Sequence, residues 1–114
     1  MVVAQKYKKP VVLEEFGFPR DGFRFSKSTS TEVRDEYYQY VFDLIRQDRE
    51  NGGLFAGCNF WAWGGFAEQN PDHIYWEKGD GYTGDPAQEE QGLNSVFATD
   101  TTVEIIKTEN AKLK

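Results

Sequence analysis

Apolar positions in this chain gather into two short runs with a long helical stripe between them. The first run, Val11-Val12-Leu13, follows Lys9-Pro10 and leads into Glu14-Glu15-Phe16-Gly17. A short apolar segment behind a proline and closed by a glycine predicts a buried parallel strand over 11–17. The second run, aromatic-rich from Leu54 to Trp63, predicts a strand over 54–63. Between them Val33, Tyr37, Tyr40, Val41, Leu44 and Ile45 recur at helical spacing, which predicts a helix near 31–51 with that stripe facing the core. Thr29-Ser30-Thr31-Glu32 fits a capping box, with Thr29 as N-cap and Glu32 reaching back. Asn51-Gly52-Gly53 stops the helix. Strand, helix, strand over this length makes a βαβ unit with parallel strands.

The pattern breaks at 64–92, where Gly64, Gly65, Pro71, Gly79, Gly81, Gly84 and Pro86 surround Trp76 and Tyr82. A loop this long is either functional or disordered, and the embedded aromatics favour an ordered one. Leu93 to Phe97 reads as a short extended or 3₁₀ piece. Asp100 or Thr101 then caps a last helix near 101–112, with a weak stripe of Val103, Ile105 and Ile106.

With 114 residues the chain fits one small domain, 1–114, and falls well short of the roughly 250 residues of a whole (β/α)₈ barrel. Aromatics reach 16%, and flat rings suit the C–H faces of sugars, although most Phe and Tyr are expected in the core. The net charge of −6 argues against nucleic acid, which needs a positive field. A neutral polysaccharide is indifferent to it. Cys58 stands alone, so no internal disulfide can form, and it reads as a small buried apolar residue. One Cys and one His make a zinc cluster improbable, so His73 reads as a loop residue; Asp80, Asp85, Glu89 and Glu90 do not match a calcium loop. No metal or other cofactor is expected. No apolar run reaches membrane-spanning length, and the N-terminus lacks the apolar core of a signal peptide.

Glu14 and Glu15 stand at the end of an apolar strand, where charge is costly. Neighbours on a strand point to opposite faces, so in a barrel one carboxylate points inward. The C-terminal strand ends are where barrel enzymes keep catalytic groups. The plainer alternative is pairing with an Arg or Lys.

Val12-Leu13-Glu14-Glu15-Phe16-Gly17 resembles strand seven of family 5 glycoside hydrolases, which ends in Glu-Phe-Gly. Asn59-Phe60-Trp61-Ala62-Trp63-Gly64-Gly65 resembles strand eight of the β-mannanase branch, as do Gly79 to Pro86 and Gln91 to Phe97. The resemblance runs from Lys9 to about Ile106. It implies an α/β fold that is a partial (β/α)₈ TIM barrel: strand 7, helix 7, strand 8, a long loop and helix 8. It implies a retaining endo-β-1,4-mannanase parent, with Glu15 as nucleophile and Trp61 as floor for the sugar. Mannan or a related polysaccharide is the implied partner, and a secreted or cell-envelope location is implied for the parent.

One departure stands out. The family's acid/base glutamate follows an Asn at the end of strand four, and this sequence has no Asn-Glu pair. The chain is therefore expected to be a C-terminal fragment, inactive alone, that self-associates or joins a complementary barrel portion. A non-catalytic polysaccharide-binding module, a truncated product without function, and cellulase or β-glucanase specificity remain as alternatives. Trp63 is expected on the same strand face as Trp61, lining the cleft or filling the core. Trp76 is a candidate rim platform, and Arg20 lines the cleft or pairs on the surface.

Overall fold

The computed structural model describes residues 2–114 and bears out the strand-helix-strand reading. After a short helix, α1 (Val2–Tyr7), strand β1 (Val11–Phe16) pairs in parallel with β2 (Phe55–Phe60), and α2 (Glu32–Glu50) connects them. The register matches Leu13 with Cys58 and Phe16 with Phe60. A second small parallel pair joins β3 (Trp63–Gly65) to β4 (Val96–Phe97), and α3 (Thr102–Lys112) follows. The core gathers Phe16, Tyr38, Val41, Ile45 and Val96, with Leu13, Phe55, Cys58, Phe60 and Ile106 packed around it. The Tyr38 ring lies 4.8 Å from Phe16 and 6.0 Å from Phe60, centroid to centroid. Among the described residues no helix is long and apolar enough to cross a membrane.

Three local expectations are corrected. The cap of α2 is not Thr29: Thr31 occupies the N-cap position and makes no side-chain cap bond. Asp21 takes that role from the preceding loop. Its carboxylate accepts from Glu32 N at 2.9 Å and Val33 N at 3.2 Å, and Ser30 Oγ donates to it at 2.5 Å. A full charge at the positive end of a helix bonds the free N–H groups more strongly than a hydroxyl does. The same contacts, the Ser30 hydroxyl first, hold the Asp21 carboxyl below its usual range.

The buried face of α2 is also turned from the expected stripe. Arg34, Tyr38, Val41, Phe42 and Ile45 are buried, while Val33, Tyr40 and Leu44 are exposed. The helix carries apolar residues on more than one face, and the side holding Tyr38 and Phe42 packs on the sheet and α3.

The second strand, expected over 54–63, ends at Phe60. The chain bends at a cis Trp61–Ala62 bond and leaves β1 for a new partner. Ala62 N donates to Asn94 O at 3.4 Å, and Val96 N donates to Ala62 O at 2.8 Å. Trp61 and Trp63 therefore do not share a strand face.

Candidate active site

Glu15 and Trp61 meet at the C-terminal ends of β1 and β2. The two strand ends are tied there by Trp61 N, which donates to Phe16 O at 2.7 Å. Gly17 makes this approach possible, since a Cβ on it would stand 2.6 Å from Trp61 O. Phe16 anchors the end of β1 in the core, 5% exposed, while Glu15 just before it is exposed. The two residues line an open cleft of about 410 Å³ with Phe16, Gly17, Glu89 and Asn94. Glu14 is exposed and does not line this cleft.

Glu89 comes from the long loop and Asn94 from the short piece after it, and the folding of both rests on the buried Asp85. That carboxylate accepts from Gly92 N at 2.9 Å, Asn94 N at 3.0 Å and Ser95 N at 3.1 Å, and from Ser95 Oγ. Three backbone donors from 92–95 around one carboxylate fix the segment that carries Asn94. Gln69 and Gln91 add staples: Gln69 Nε2 donates to Phe25 O at 2.7 Å and Gln91 O at 2.8 Å, and Gln91 Nε2 donates to Pro86 O at 2.7 Å. The stretch 64–92 is thus an ordered loop laid over the strand ends.

Arg20 corrects an expectation. It does not reach the cleft but lies in the interior, 1% exposed. Nε donates to Gly92 O at 3.0 Å, Nη1 to Thr29 O at 2.9 Å and Asp100 at 3.0 Å, and Nη2 to Ser95 O at 3.3 Å and Asp100 at 2.5 Å. All five donors of the guanidinium are taken, which leaves none for a ligand. Arg34 lies alongside and donates to Phe18 O at 2.7 Å and to Ser95 O and Leu93 O at 2.8 Å. The two arginines hold the 92–95 segment from beneath, so they act on the cleft only through the backbone they position.

Trp63 begins β3, is 55% exposed, and does not line the cleft. Trp76 is half-buried in the loop and stacks on Tyr82, centroids 5.5 Å apart and planes 18° from parallel. Sequence reasoning passed over Glu89 as a cleft residue. No local pattern marks it, because its place depends on how the loop folds back on β1.

Side chains gathered at the C-terminal ends of adjoining parallel strands stand where α/β-barrel enzymes keep their catalytic groups. The pattern defining the "GH family 5 beta-mannosidase-like" proteins matches residues 1–114. The chain belongs to glycoside hydrolase family 5, in its mannosidase-like group. The family 5 mannosidase of Rhizomucor miehei is 40% identical, with a TM-score of 0.78, over 96% of this chain and 28% of that one. A mutant of the same enzyme in complex with mannosyl-fructose is 40% identical with a TM-score of 0.81 over the same shares, 96% and 28%. An Arabidopsis thaliana protein that carries the name of a mannan endo-1,4-beta-mannosidase is 37% identical over 54 residues, 47% of this chain and 12% of that protein. The chain thus spans about a quarter of the solved relatives' length.

Proposed function

We propose that this chain supplies the nucleophile half of a retaining β-mannoside hydrolase, with Glu15 as nucleophile and Trp61 as the plane beneath the sugar. The cleft shared by Glu15 and Trp61 carries this reading, in a chain matched by the family along its whole length. In the same reading β1, α2, β2, the long loop and α3 are strand 7, helix 7, strand 8, the loop and helix 8 of a (β/α)₈ barrel. The share of the solved relatives that is covered, 28%, agrees with a quarter of such a barrel.

A Glu15 oxygen would form a bond to the anomeric carbon while the bond to the leaving oxygen breaks, giving a glycosyl-enzyme. The leaving oxygen keeps the electron pair and needs a proton. A second carboxylic acid roughly 5–5.5 Å from the nucleophile gives that proton and then activates water. With no Asn-Glu pair in the sequence, the chain alone lacks that group, at a cost of about 10²–10⁴ in rate. Endo action on β-1,4-mannan belongs to the same proposal. The Arabidopsis relative's name supports it, and the mannosyl-fructose in the Rhizomucor complex supports a mannosyl ligand.

The test is a 2-deoxy-2-fluoro-β-mannoside with a dinitrophenolate leaving group, which departs without a proton and isolates the nucleophilic step. Peptide mapping by mass spectrometry is expected to find the label on Glu15, and none in Glu15→Gln. Label on Glu14 or Glu89, or no label, overturns the assignment. From mannan itself the chain is expected to release no more reducing sugar than Glu15→Gln.

A further inference from the structure

Tyr82 is 79% exposed, yet its ring is held in place. One side stacks on Trp76, and Trp76 is fixed in turn: its N donates to Ala87 O at 3.2 Å and its Nε1 to Asp80 O at 3.3 Å. The Asp80 carboxylate accepts from Glu77 N and Asn70 Nδ2, both at 2.9 Å, and bonds His73 Nδ1 at 2.8 Å. A large ring presented to water on a fixed backing has already lost the rotamer freedom that binding would otherwise remove.

Two nearby glycines fix the backbone that carries this ring against the bend that follows Trp61. Gly81 lies against Glu68, where a Cβ would stand 2.6 Å from Glu68 O. Gly84 lies against the bend after Trp61, where a Cβ would stand 2.7 Å from Ala62 O. Gly84 N also donates to Ser95 Oγ at 2.9 Å. Tyr82 is thus two residues from backbone seated against Ala62, the residue after Trp61, in the same loop that sends Glu89 into the cleft. Glu77, Lys78 and Glu89 are all exposed on this loop, a polar setting that suits a hydroxylated ligand better than an apolar protein face.

We propose that Tyr82, backed by Trp76, is a second sugar-stacking platform that binds a hexopyranosyl unit of a mannan-type chain beyond the unit seated at Trp61. The proposal rests on the mannoside-cleft reading and adds to it a site that senses chain length. The phenol ring offers its outer face to the C–H face of the pyranose, and its hydroxyl can bond a ring substituent.

The experiment titrates the full chain with mannobiose through mannohexaose by calorimetry, beside Tyr82→Ala, Tyr82→Phe and Trp61→Ala. The unaltered chain is expected to bind long oligosaccharides more tightly than mannobiose. Tyr82→Ala should remove that gain, about five- to tenfold on the longest ligand, and leave mannobiose within about twofold. Tyr82→Phe should keep most of it, and Trp61→Ala should weaken binding at every length. If Tyr82→Ala leaves every length unchanged while Trp61→Ala weakens them, the platform is overturned and the cleft stands. Equal weakening at every length in Tyr82→Ala also overturns it, because the residue would then only support the loop. No binding by the unaltered chain removes the cleft reading and the platform with it.

Discussion

Arg20 and Arg34 set two guanidinium groups around one carboxylate, Asp100, in the interior. Two cations against one anion would be untenable there without further acceptors. The carbonyls of Phe18, Thr29, Gly92, Leu93 and Ser95 supply them. Burial first, and the neighbouring Arg20 charge second, pull the Arg34 pKa down from its ordinary value. Removing the only anion of this group leaves both cations uncompensated, and breaking a buried pair in this way costs about 3–5 kcal/mol. Asp100→Asn is therefore expected to lower the unfolding free energy from urea titration by about 3–5 kcal/mol. A loss below about 1 kcal/mol would show that the carbonyls alone suffice. That Glu15 and Trp61 share one cleft was legible because both stand in short motifs with their supports beside them, Phe16-Gly17 and Phe60. Arg20 was misread because its partner Asp100 lies 80 positions away, so a lone cation after the strand resembled a ligand-binding group.

Elements framed by turn and capping residues were the easiest to foresee. β1, α2 and α3 fall within a residue or two of the expected bounds, since turn residues frame apolar runs there. The break at Trp61–Ala62 was not foreseen, because an aromatic-rich run looks the same whether one strand or two use it, and only β4 decides. The face of α2 was missed for a related reason: apolar residues on two faces let tertiary packing choose. The long loop shows how order arises without periodicity. Its His73 sits between two carboxylates, Nδ1 on Asp80 at 2.8 Å and Nε2 on Glu77 at 3.0 Å, with Asn70 and Asp72 nearby. The bond to Asp80, helped by the Asp80, Glu77 and Asp72 charges and opposed by desolvation, raises the His73 pKa above 6.5. A raised histidine stabilises the loop fully below about pH 6.5, and the contribution fades as pH climbs through the higher folded value. Asp80 behaves in the opposite sense: the Glu77 N–H first, then Asn70, lower its pKa below 3.8, so its contribution fades only in stronger acid. The clamp is therefore complete between about pH 4 and 6.5. The sequence has one histidine, so a single imidazole signal reports it in an NMR titration. Its midpoint is expected above 6.5 and should fall in Asp80→Asn; a midpoint at or below 6.5 in the unaltered chain would contradict the clamp.

The whole molecule is stretched for its length. The Cα radius of gyration is 16.1 Å, against about 13 Å for a compact chain of this size, and the principal extents are 51 × 24 × 23 Å. The reason lies in what each element leaves uncovered. Among the described residues β1 and β2 pair only with each other, so each keeps one open edge, and Val11 and Val12 are 38% and 46% exposed. On the far side of α2, Val33, Tyr40 and Leu44 are exposed as well. Unpaired edges and apolar faces of this kind recruit other strands and helices. Since the solved relatives are more than three times longer, the cover proposed for these surfaces is further structure of a barrel, or otherwise a second copy of this chain. Sedimentation equilibrium on the isolated chain should then give a concentration-dependent mass above 13.1 kDa. Val12→Lys, which puts a charge on the β1 edge, should lower that mass while the far-UV circular dichroism is retained. A monodisperse 13.1 kDa species with cooperative unfolding would overturn the expectation. It would mean that a two-stranded sheet and two helices hold together without neighbours, and that the long loop, with its Asp85 and Arg20 anchors, supplies the closure that further strands were proposed to give.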